Sequence, residues 1–262
     1  MAEHDTVQIA EGANQQGVRD HNERLILSMI QRFGPLPGAE IAKRSKLSPQ
    51  TVSIILRSLE SDGFLVKGEP QRGRVGKPSV PMALAPEAAY AVGLKIGRRT
   101  ADVLLTNIHG HICWDSQLTY GYPDSEEILA FVQQALDHIY VHLGDKGQKR
   151  LAGVGIAMPS EIWNWHETIG ATQEQLSCWQ NTDLVDRISS FTELPVYIDN
   201  DATAACRAEL AYGQGRQYQN FAYFFLGSFV GGGVVLNGSV FEGATNNAGA
   251  FGSLPAYSRG AP

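Results

Sequence analysis

The segment SPQTVSIILRSLESD, residues 48–62, decides the fold of the N-terminal part of the chain. Ser48 is a favourable N-cap and Pro49 suits the first helical position. Four apolar side chains recur at helical spacing and predict one buried face: Val52, Ile55, Leu56 and Leu59. The outer face then carries polar side chains near its N-terminal end: Gln50, Thr51, Ser53 and Arg57. Such a face is typical of a helix that enters a DNA major groove, although an ordinary amphipathic surface helix shows the same pattern.

The segments on either side of this helix predict a winged helix-turn-helix. A first helix is expected at residues 21–33 and a second, short helix at residues 39–45, which a tight turn separates from the helix above. Downstream, strands expected at residues 64–66 and 79–84 flank a basic, glycine-rich loop, the wing. Three cations of this loop can reach phosphates or a minor groove: Arg72, Arg74 and Lys77.

Charge is distributed unevenly along the chain, which has a formal net charge of −6 at pH 7. Residues 19–77 contain eleven Lys and Arg against six Asp and Glu, a net charge of +5. Residues 87–262 contain ten against eighteen, a net charge of −8. The basic segment is therefore also the segment whose sequence pattern is typical of a DNA-binding domain. The acidic remainder disfavours a second nucleic-acid surface and a membrane role, and it suits a small-molecule sensor.

The composition predicts a soluble, cytoplasmic protein of two packed domains. The chain has 262 residues, of which 43% are hydrophobic. No apolar run approaches the roughly 20 residues that a membrane span needs. Residues 1–18 lack the features of a signal peptide, and we expect them to form a flexible tail. Cys113, Cys178 and Cys206 are widely spaced without CxxC, so they predict reduced thiols, no zinc cluster and no cofactor.

A second domain is expected to begin near Ala85-Pro86, which divides the chain into residues 19–86 and 87–262. Three β-prone runs predict an antiparallel meander: residues 91–96, 100–106 and 111–119. Helices and strands then alternate, with helices at residues 125–143, 184–191 and 202–212 and strands at residues 151–157 and 196–198. A strand that follows a helix implies parallel addition to the sheet. Three strands followed by αβαβα is the order of the ribonuclease H-like lobe of sugar kinases and actin-like ATPases.

Residues 221–252 are rich in glycine and predict two strands with glycine turns. The candidate turn residues are Gly227, Ser228, Gly231, Gly232 and Gly233. Backbone N–H groups in such turns can approach a phosphate without a Cβ in the way. A plain β-hairpin also needs glycines, so that interpretation stands equally open.

Three motifs of the chain are GRVGKP at residues 73–78, GVGIAMPS at residues 153–160 and IDNDATAACRAE at residues 198–209. They resemble the ROK family, named for repressors, open reading frames and kinases. The first is similar to its repressor branch, and the second is similar to an apolar strand of the family that ends in a proline turn. IDNDATAACRAE resembles its acidic-Asn-Asp-Ala motif. This last resemblance implies that Asn200 and Asp201 contact a sugar and that Asp201 acts as the base in a kinase. A helix N-cap is another role for Asp201, and the two roles are compatible.

Two departures from the family pattern favour a regulator over an enzyme. ROK kinases have an Asp-x-Gly-Gly-Thr turn that serves Mg-nucleotide, whereas this chain has KIGRRT, in which Lys95 replaces the carboxylate and Arg98 fills the turn. Phosphoryl transfer depends on positioning and charge neutralisation, so we expect no kinase activity. Where the family has a sugar-binding Glu and a zinc-binding His, this chain has Ala250 and Ser253.

The sequence therefore predicts an α/β protein with an N-terminal winged helix-turn-helix followed by a ribonuclease H-like domain of the actin and sugar-kinase type. Its second lobe is expected to be incomplete, as in a fragment or in a reduced regulator whose sheet is covered by a partner subunit. The expected function is a ROK-type transcriptional regulator, a repressor of carbohydrate-related genes. We expect it to bind operator DNA as a homodimer and to respond to a sugar or a sugar derivative. The alternative is a ROK kinase that phosphorylates a hexose with ATP.

Overall fold

The computed structural model describes residues 15–70, 79–227, 230–244 and 247–253. The chain divides into two compact units, Met1–Ala85 and Pro86–Pro262. The predicted wing cations Arg72, Arg74 and Lys77 lie outside the described residues, as do Ser228 and most of the predicted tail. No helix within the described ranges combines the length and the apolar content needed to cross a membrane.

The first unit is a winged helix-turn-helix, as predicted. Its helices and strands are α1 (Gln15–Phe33), β1 (Leu36–Pro37), α2 (Gly38–Ser45), α3 (Pro49–Ser61), β2 (Leu65–Lys67) and β3 (Pro81–Leu84). The strands form an antiparallel sheet in the order β1-β3-β2. The predicted tail extends too far, because residues 15–18 already belong to α1. Strand β1 was not predicted.

Local signals set the ends of these helices. The Ser48 hydroxyl accepts a hydrogen bond from the Thr51 N–H at 3.0 Å, so it caps α3 as predicted. Gly34 and Gly63 end α1 and α3 with positive φ angles of 79° and 75°. The buried side chains of the unit come from all three helices and all three strands, and include Ile26, Ile30, Leu36, Ile41, Val52, Leu59, Leu65 and Leu84.

The second unit is built on a five-stranded mixed sheet. Its strands are β4 (Tyr90–Ile96), β5 (Thr100–Asn107), β6 (Ile112–Thr119), β7 (Leu151–Met158) and β8 (Val196–Asn200). Their order is β6-β5-β4-β7-β8. Strands β4, β5 and β6 pair antiparallel, whereas β7 pairs parallel with both β4 and β8. The predicted meander and the predicted parallel additions are therefore confirmed.

Helices cover this sheet, and a second sheet follows it in the chain. The helices are α4 (Ser125–Gln148), α5 (His166–Ile169), α6 (Gln173–Ser177), α7 (Leu184–Ser189) and α8 (Asp201–Tyr212). Strands β9 (Phe221–Leu226), β10 (Val230–Leu236) and β11 (Ser239–Phe241) form an antiparallel sheet in the order β11-β10-β9. The main core lies between the five-stranded sheet and α4, and includes Leu94, Ile96, Leu105, Ile128, Leu136 and Ile139.

Candidate functional site

The outer face of α3 carries the side chains that the sequence predicted for DNA contacts. Gln50, Ser53 and Arg57 are exposed, and Thr51 is half-buried. The first turn of α3 contains no acidic residue. The partial positive charge of the helix N-terminus is therefore unopposed by a carboxylate there, which suits an approach to DNA.

Hydrogen bonds on this face distinguish the four polar residues. The Arg57 guanidinium donates from Nη2 to the Ser53 hydroxyl and from Nε to the Ser53 carbonyl, both at 3.2 Å. The hydroxyls of Thr51 and Ser48 lie 2.8 Å apart. Thr51 thus supports the helix cap and Arg57 lies along its own helix. Gln50 takes part in neither arrangement and is the best placed of the four to meet a base edge.

Three further residues, which were not predicted from the sequence, lie at this candidate site. Ile54 is 56% exposed although it is apolar, and it follows Gln50 by four residues on the same helical face. Its position outside the buried apolar stripe could have indicated this exposure from the sequence. Lys43 is exposed in the last turn of α2, and Lys46 is exposed in the turn that follows it, with a positive φ of 60°. Exposed lysines beside α3 are candidates for phosphate contacts.

A cleft of about 470 Å³ lies in the second unit, where β4, β7 and β8 end. The crevice outside the carboxyl ends of parallel strands is the usual ligand site of open α/β sheets. The polar side chains along the cleft belong to Lys95, Arg98, Ser160, Asn200, Asp201 and Asn247. Aromatic and backbone surface comes from Trp165, Phe225, Gly97, Gly227, Gly231 and Gly232.

Asn200 and Asp201, the predicted effector residues, both line this cleft. The Asn200 Oδ1 accepts hydrogen bonds from the N–H groups of Ala202 at 3.0 Å and Thr203 at 3.4 Å, and its Nδ2 donates to the Ser160 hydroxyl at 3.2 Å. The alternative role of Asp201 as N-cap is wrong, because the extended backbone of Asn200 occupies the cap position and Asp201 is the first residue of α8.

The Asp201 carboxyl group is perturbed by its surroundings. Burial raises the pKa of Asp201, while the hydrogen bond from the Ala202 N–H and the nearby Lys95 ammonium act in the opposite direction. A half-buried carboxyl group beside a cation can accept a ligand hydroxyl. Perturbed groups of this kind occur often at functional sites.

The turn between β4 and β5 carries two arginines, and one of them lines the cleft. Arg98 lines the cavity, whereas the guanidinium of the next residue, Arg99, donates to the carbonyls of Gly121 and Ile169, the latter at 2.9 Å. The Tyr120 hydroxyl lies 2.8 Å from the carbonyl oxygens of Gly97 and Thr100, which flank this turn. Burial raises the pKa of Tyr120, so its hydroxyl keeps its proton and remains a donor.

The glycine triplet does not form the predicted phosphate turn. Gly231, Gly232 and Gly233 lie inside β10 and pair with β9, so the hairpin interpretation holds. A Cβ on Gly233 would lie 2.5 Å from the Cys206 Cβ, and one on Gly232 would lie 2.6 Å from the Phe251 ring. These glycines are therefore needed for the close approach of β10 to its neighbours. Gly227, Gly231 and Gly232 nevertheless contribute backbone to the cleft.

The described residues contain no group of three or more His, Cys, Asp and Glu arranged to hold an ion. The three cysteines are free thiols, with Cys113 exposed, Cys178 half-buried and Cys206 buried. At the two positions where the resemblance would place a sugar-binding Glu and a zinc-binding His, this chain has Ala250, which lines the cleft, and Ser253.

The fold and the two sites together define a winged-helix protein with a sugar-kinase-like second domain. The model of the ROK family matches residues 91–262, and the chain belongs to that family. A model described as winged helix-turn-helix DNA-binding matches residues 19–66.

Curated relatives match across both units. The xylose repressor of Bacillus subtilis is 24% identical over 242 residues, which are 92% of this chain and 62% of that protein. The DNA-binding transcriptional dual regulator NagC of Escherichia coli is 21% identical over 241 residues, which are 90% of this chain and 58% of NagC. The chain thus spans about three fifths of the length of these relatives.

Solved structures have the same fold. A ROK family transcriptional regulator described as a homolog of the E. coli MLC protein superposes with a TM-score of 0.62 at 19% identity, covering 93% of this chain and 61% of that one. A ROK hexokinase from Thermus thermophilus superposes with a TM-score of 0.50 at 21% identity, covering 64% of this chain and 53% of the hexokinase. At these identities the likeness supports the fold alone.

Proposed function

We propose that this chain is a DNA-binding transcriptional regulator, a cytoplasmic repressor of carbohydrate-related genes that binds operator DNA as a homodimer. The observation that carries the proposal is the outer face of α3, which is exposed, polar and free of carboxylates in its first turn. The relatives named xylose repressor and NagC support the same assignment.

In this proposal, α3 enters the major groove, and base contacts and phosphate contacts are made by different residues. Gln50 reads a base edge, and an Asn or Gln side chain can make two hydrogen bonds to adenine. Lys43 and Lys46 hold phosphates beside the groove. The wing cations Arg72, Arg74 and Lys77 stay predicted anchors that fix the position of the protein without reading sequence.

Dimer formation would place two copies of α3 on a palindromic operator. The half-sites are then expected about one helical turn of DNA apart, or a multiple of that spacing. The second unit leaves large apolar side chains exposed on its strands, among them Tyr197, Phe224 and Leu226. Apolar surface of this kind supports contact with another chain, because isolated soluble proteins keep such patches small.

The cleft of the second unit is the proposed effector site, with Asn200 and Asp201 as its sugar-contacting residues. An unmodified hexose is expected to bind weakly, in the millimolar range, because Ala250 and Ser253 supply neither a carboxylate nor a metal ligand. Each hydrogen bond to a neutral partner contributes about 0.5–1.5 kcal/mol, so the loss of several weakens a polyhydroxylated ligand strongly.

Genomic footprinting of the purified chain tests the DNA-binding proposal. We expect discrete protected sites and an affinity that falls steeply with salt, because phosphate contacts release counterions. Gln50→Ala should lower the discrimination between operator and altered operator by about 1–3 kcal/mol. The matched control is Gln133→Ala, which removes an exposed glutamine from α4 in the other unit. Equal weakening on every sequence by Gln50→Ala, or no discrete sites at all, would contradict the proposal.

Sugar kinase activity is the second candidate function, since Asp201 lies in the cleft with a pKa raised by burial, as a catalytic base can have. Lys95 and Arg98 at the β4–β5 turn oppose it, because this turn holds Mg-nucleotide in the kinases that the chain resembles. An assay of ADP release across common hexoses and amino sugars separates the two functions. Turnover that Asp201→Asn abolishes would establish the enzyme.

A further inference from the structure

We infer that two copies of this chain associate through one face of the antiparallel sheet β11-β10-β9. This is the face that points away from α8, and it is called the outer face below. The inference names the surface by which the homodimer of the proposed function forms, and it rests on that function for its regulatory meaning. The association itself can be measured without DNA.

The register of the strands divides the side chains of this sheet between two faces. One face lies against α8, because a Cβ on Gly233 would lie 2.5 Å from the Cys206 Cβ, and Val235, two residues further on, is fully buried. The alternate positions of β10 and their cross-strand partners belong to the outer face. Its large exposed side chains are Phe224 (59%), Leu226 (79%), Val230 (44%), Leu236 (44%) and Phe241 (51%).

These apolar side chains form one continuous patch. Leu226 lies directly opposite Val230, and the Phe224 ring packs on the Phe251 ring with centroids 4.6 Å apart. β10 has seven residues, so a three-stranded face of its length measures about 24 Å by 14 Å, roughly 340 Å². Apolar patches of about 300–600 Å² on a soluble monomer are often functional. The outer face therefore has the size of an interaction surface.

The charge of the outer face favours a second copy over a different protein. Strands β9, β10 and β11 contain no Lys, Arg, Asp or Glu, whereas residues 87–262 carry a net charge of −8. Two copies can meet at this face without bringing like charges into contact, although the units as wholes repel each other. A different protein is ordinarily selected by complementary charge, and these strands supply none for it to match.

The geometry of a sheet also suits association with an identical copy. Two sheets pack face to face about 10 Å apart with interdigitating side chains, and a two-fold axis presents the same patch from both copies. The area of the outer face is less than half of the roughly 800 Å² that each partner contributes to a standard interface. We therefore expect a reversible dimer with a dissociation constant of about 1–10 µM. An operator with two half-sites would stabilise this dimer, because it binds both copies at once.

Sedimentation equilibrium of the purified full chain, at concentrations below and above this dissociation constant, tests the inference. The wild type should change from monomer to dimer. Leu226→Glu and Leu236→Glu, near opposite ends of the face, should each raise the dissociation constant at least about tenfold, because the dimer would bury an unpaired carboxylate. The matched control is Val141→Glu, which places the same carboxylate at an 84% exposed valine of α4 and should leave the dissociation constant unchanged.

Circular dichroism and urea unfolding verify that the variants are folded. Leu226→Ser adds no charge and should weaken the dimer less than Leu226→Glu does, so it tests the same contact if a charged variant fails to fold. Equal dissociation constants for the wild type and the variants of Leu226 and Leu236 would overturn the inference. A monomer at every concentration, or a stable complex with a different protein that Leu226→Glu dissociates, would also overturn it.

Operator binding separates this inference from the proposed function. At chain concentrations below the dissociation constant of its dimer, Leu226→Glu should weaken binding to an operator with two half-sites at least about tenfold and leave binding to a single half-site unchanged. An operator-bound dimer that is indifferent to Leu226→Glu would overturn the inference alone. A chain that forms this dimer and binds no operator would overturn the proposed function alone.

Discussion

Gly233→Ala should destabilise the second unit because β10 approaches α8 too closely for a side chain. The new Cβ would lie 2.5 Å from the Cys206 Cβ and 2.6 Å from its Sγ. Carbon atoms in contact are ordinarily about 3.5–4.0 Å apart, so the overlap is about 1 Å and both neighbours belong to a helix. Overpacking of this kind costs about 1–3 kcal/mol. For a unit of this size, each kcal/mol lowers the melting temperature by about 2–4 °C.

Differential scanning calorimetry of the purified chain measures this effect, with Gly155→Ala as the matched control. Gly155 is also a strand glycine, in β7, but a Cβ there would have no neighbour within 4 Å. Its substitution should change the free energy of unfolding by less than about 0.5 kcal/mol. If Gly233→Ala were as harmless as the control, the packing argument would be refuted.

Three further substitutions test other features of the two units. Ile54→Ser should weaken operator binding by about 1 kcal/mol if Ile54 packs on a thymine methyl group, and the difference should vanish on operators with uracil in place of thymine; a difference that persists would contradict the contact. Ser48→Ala should cost about 0.5–2 kcal/mol of stability in the first unit, measured by urea denaturation, through loss of the α3 cap. Tyr120→Phe should cost about 1–3 kcal/mol in the second unit, because it removes the donor to the β4–β5 turn, and an unchanged unfolding midpoint would show that the turn is held by other contacts.

The first unit was predictable because its signals are local. A cap at Ser48 and breakers at Gly34 and Gly63 set helix ends that the structure reproduces. Strand β1 escaped prediction because two residues, Leu36 and Pro37, have no periodicity, and the strand exists only through pairing with β3, more than forty residues later.

The segment between β7 and α7 could not be predicted from periodicity. Helices α5 and α6 have four and five residues and are too short to form without tertiary contacts. Trp179 shows how such contacts arise, since its buried indole donates to the Pro123 carbonyl at 2.8 Å across 56 positions of the chain. No local sequence pattern predicts a hydrogen bond between residues so far apart in the chain.

In the candidate sites, too, local features could be predicted from the sequence and features that depend on distant residues could not. The Asn200-Asp201 motif could be recognised because its two residues are adjacent, and the structure places both in the cleft. The sequence left a phosphate turn and a plain hairpin equally open for the glycine run, because a turn and a closely packed strand use the same residue. Only the distant Cys206 and Phe251 distinguish the two cases. Ile54 was missed because its exposure, and not its residue type, makes it a candidate for a DNA contact.

The cap of α8 also determines which hydrogen-bond donors and acceptors the cleft offers to a ligand. The Asn200 Oδ1 already accepts two backbone N–H groups, and its Nδ2 has given one hydrogen to Ser160. The amide therefore offers a ligand a single remaining hydrogen and acts only as a donor. The neighbouring carboxylate of Asp201 acts only as an acceptor while it is ionised. If the cleft is the effector site that we propose, these two adjacent groups fit a ligand that presents an accepting oxygen to the Asn200 amide and a donating hydroxyl to the Asp201 carboxylate.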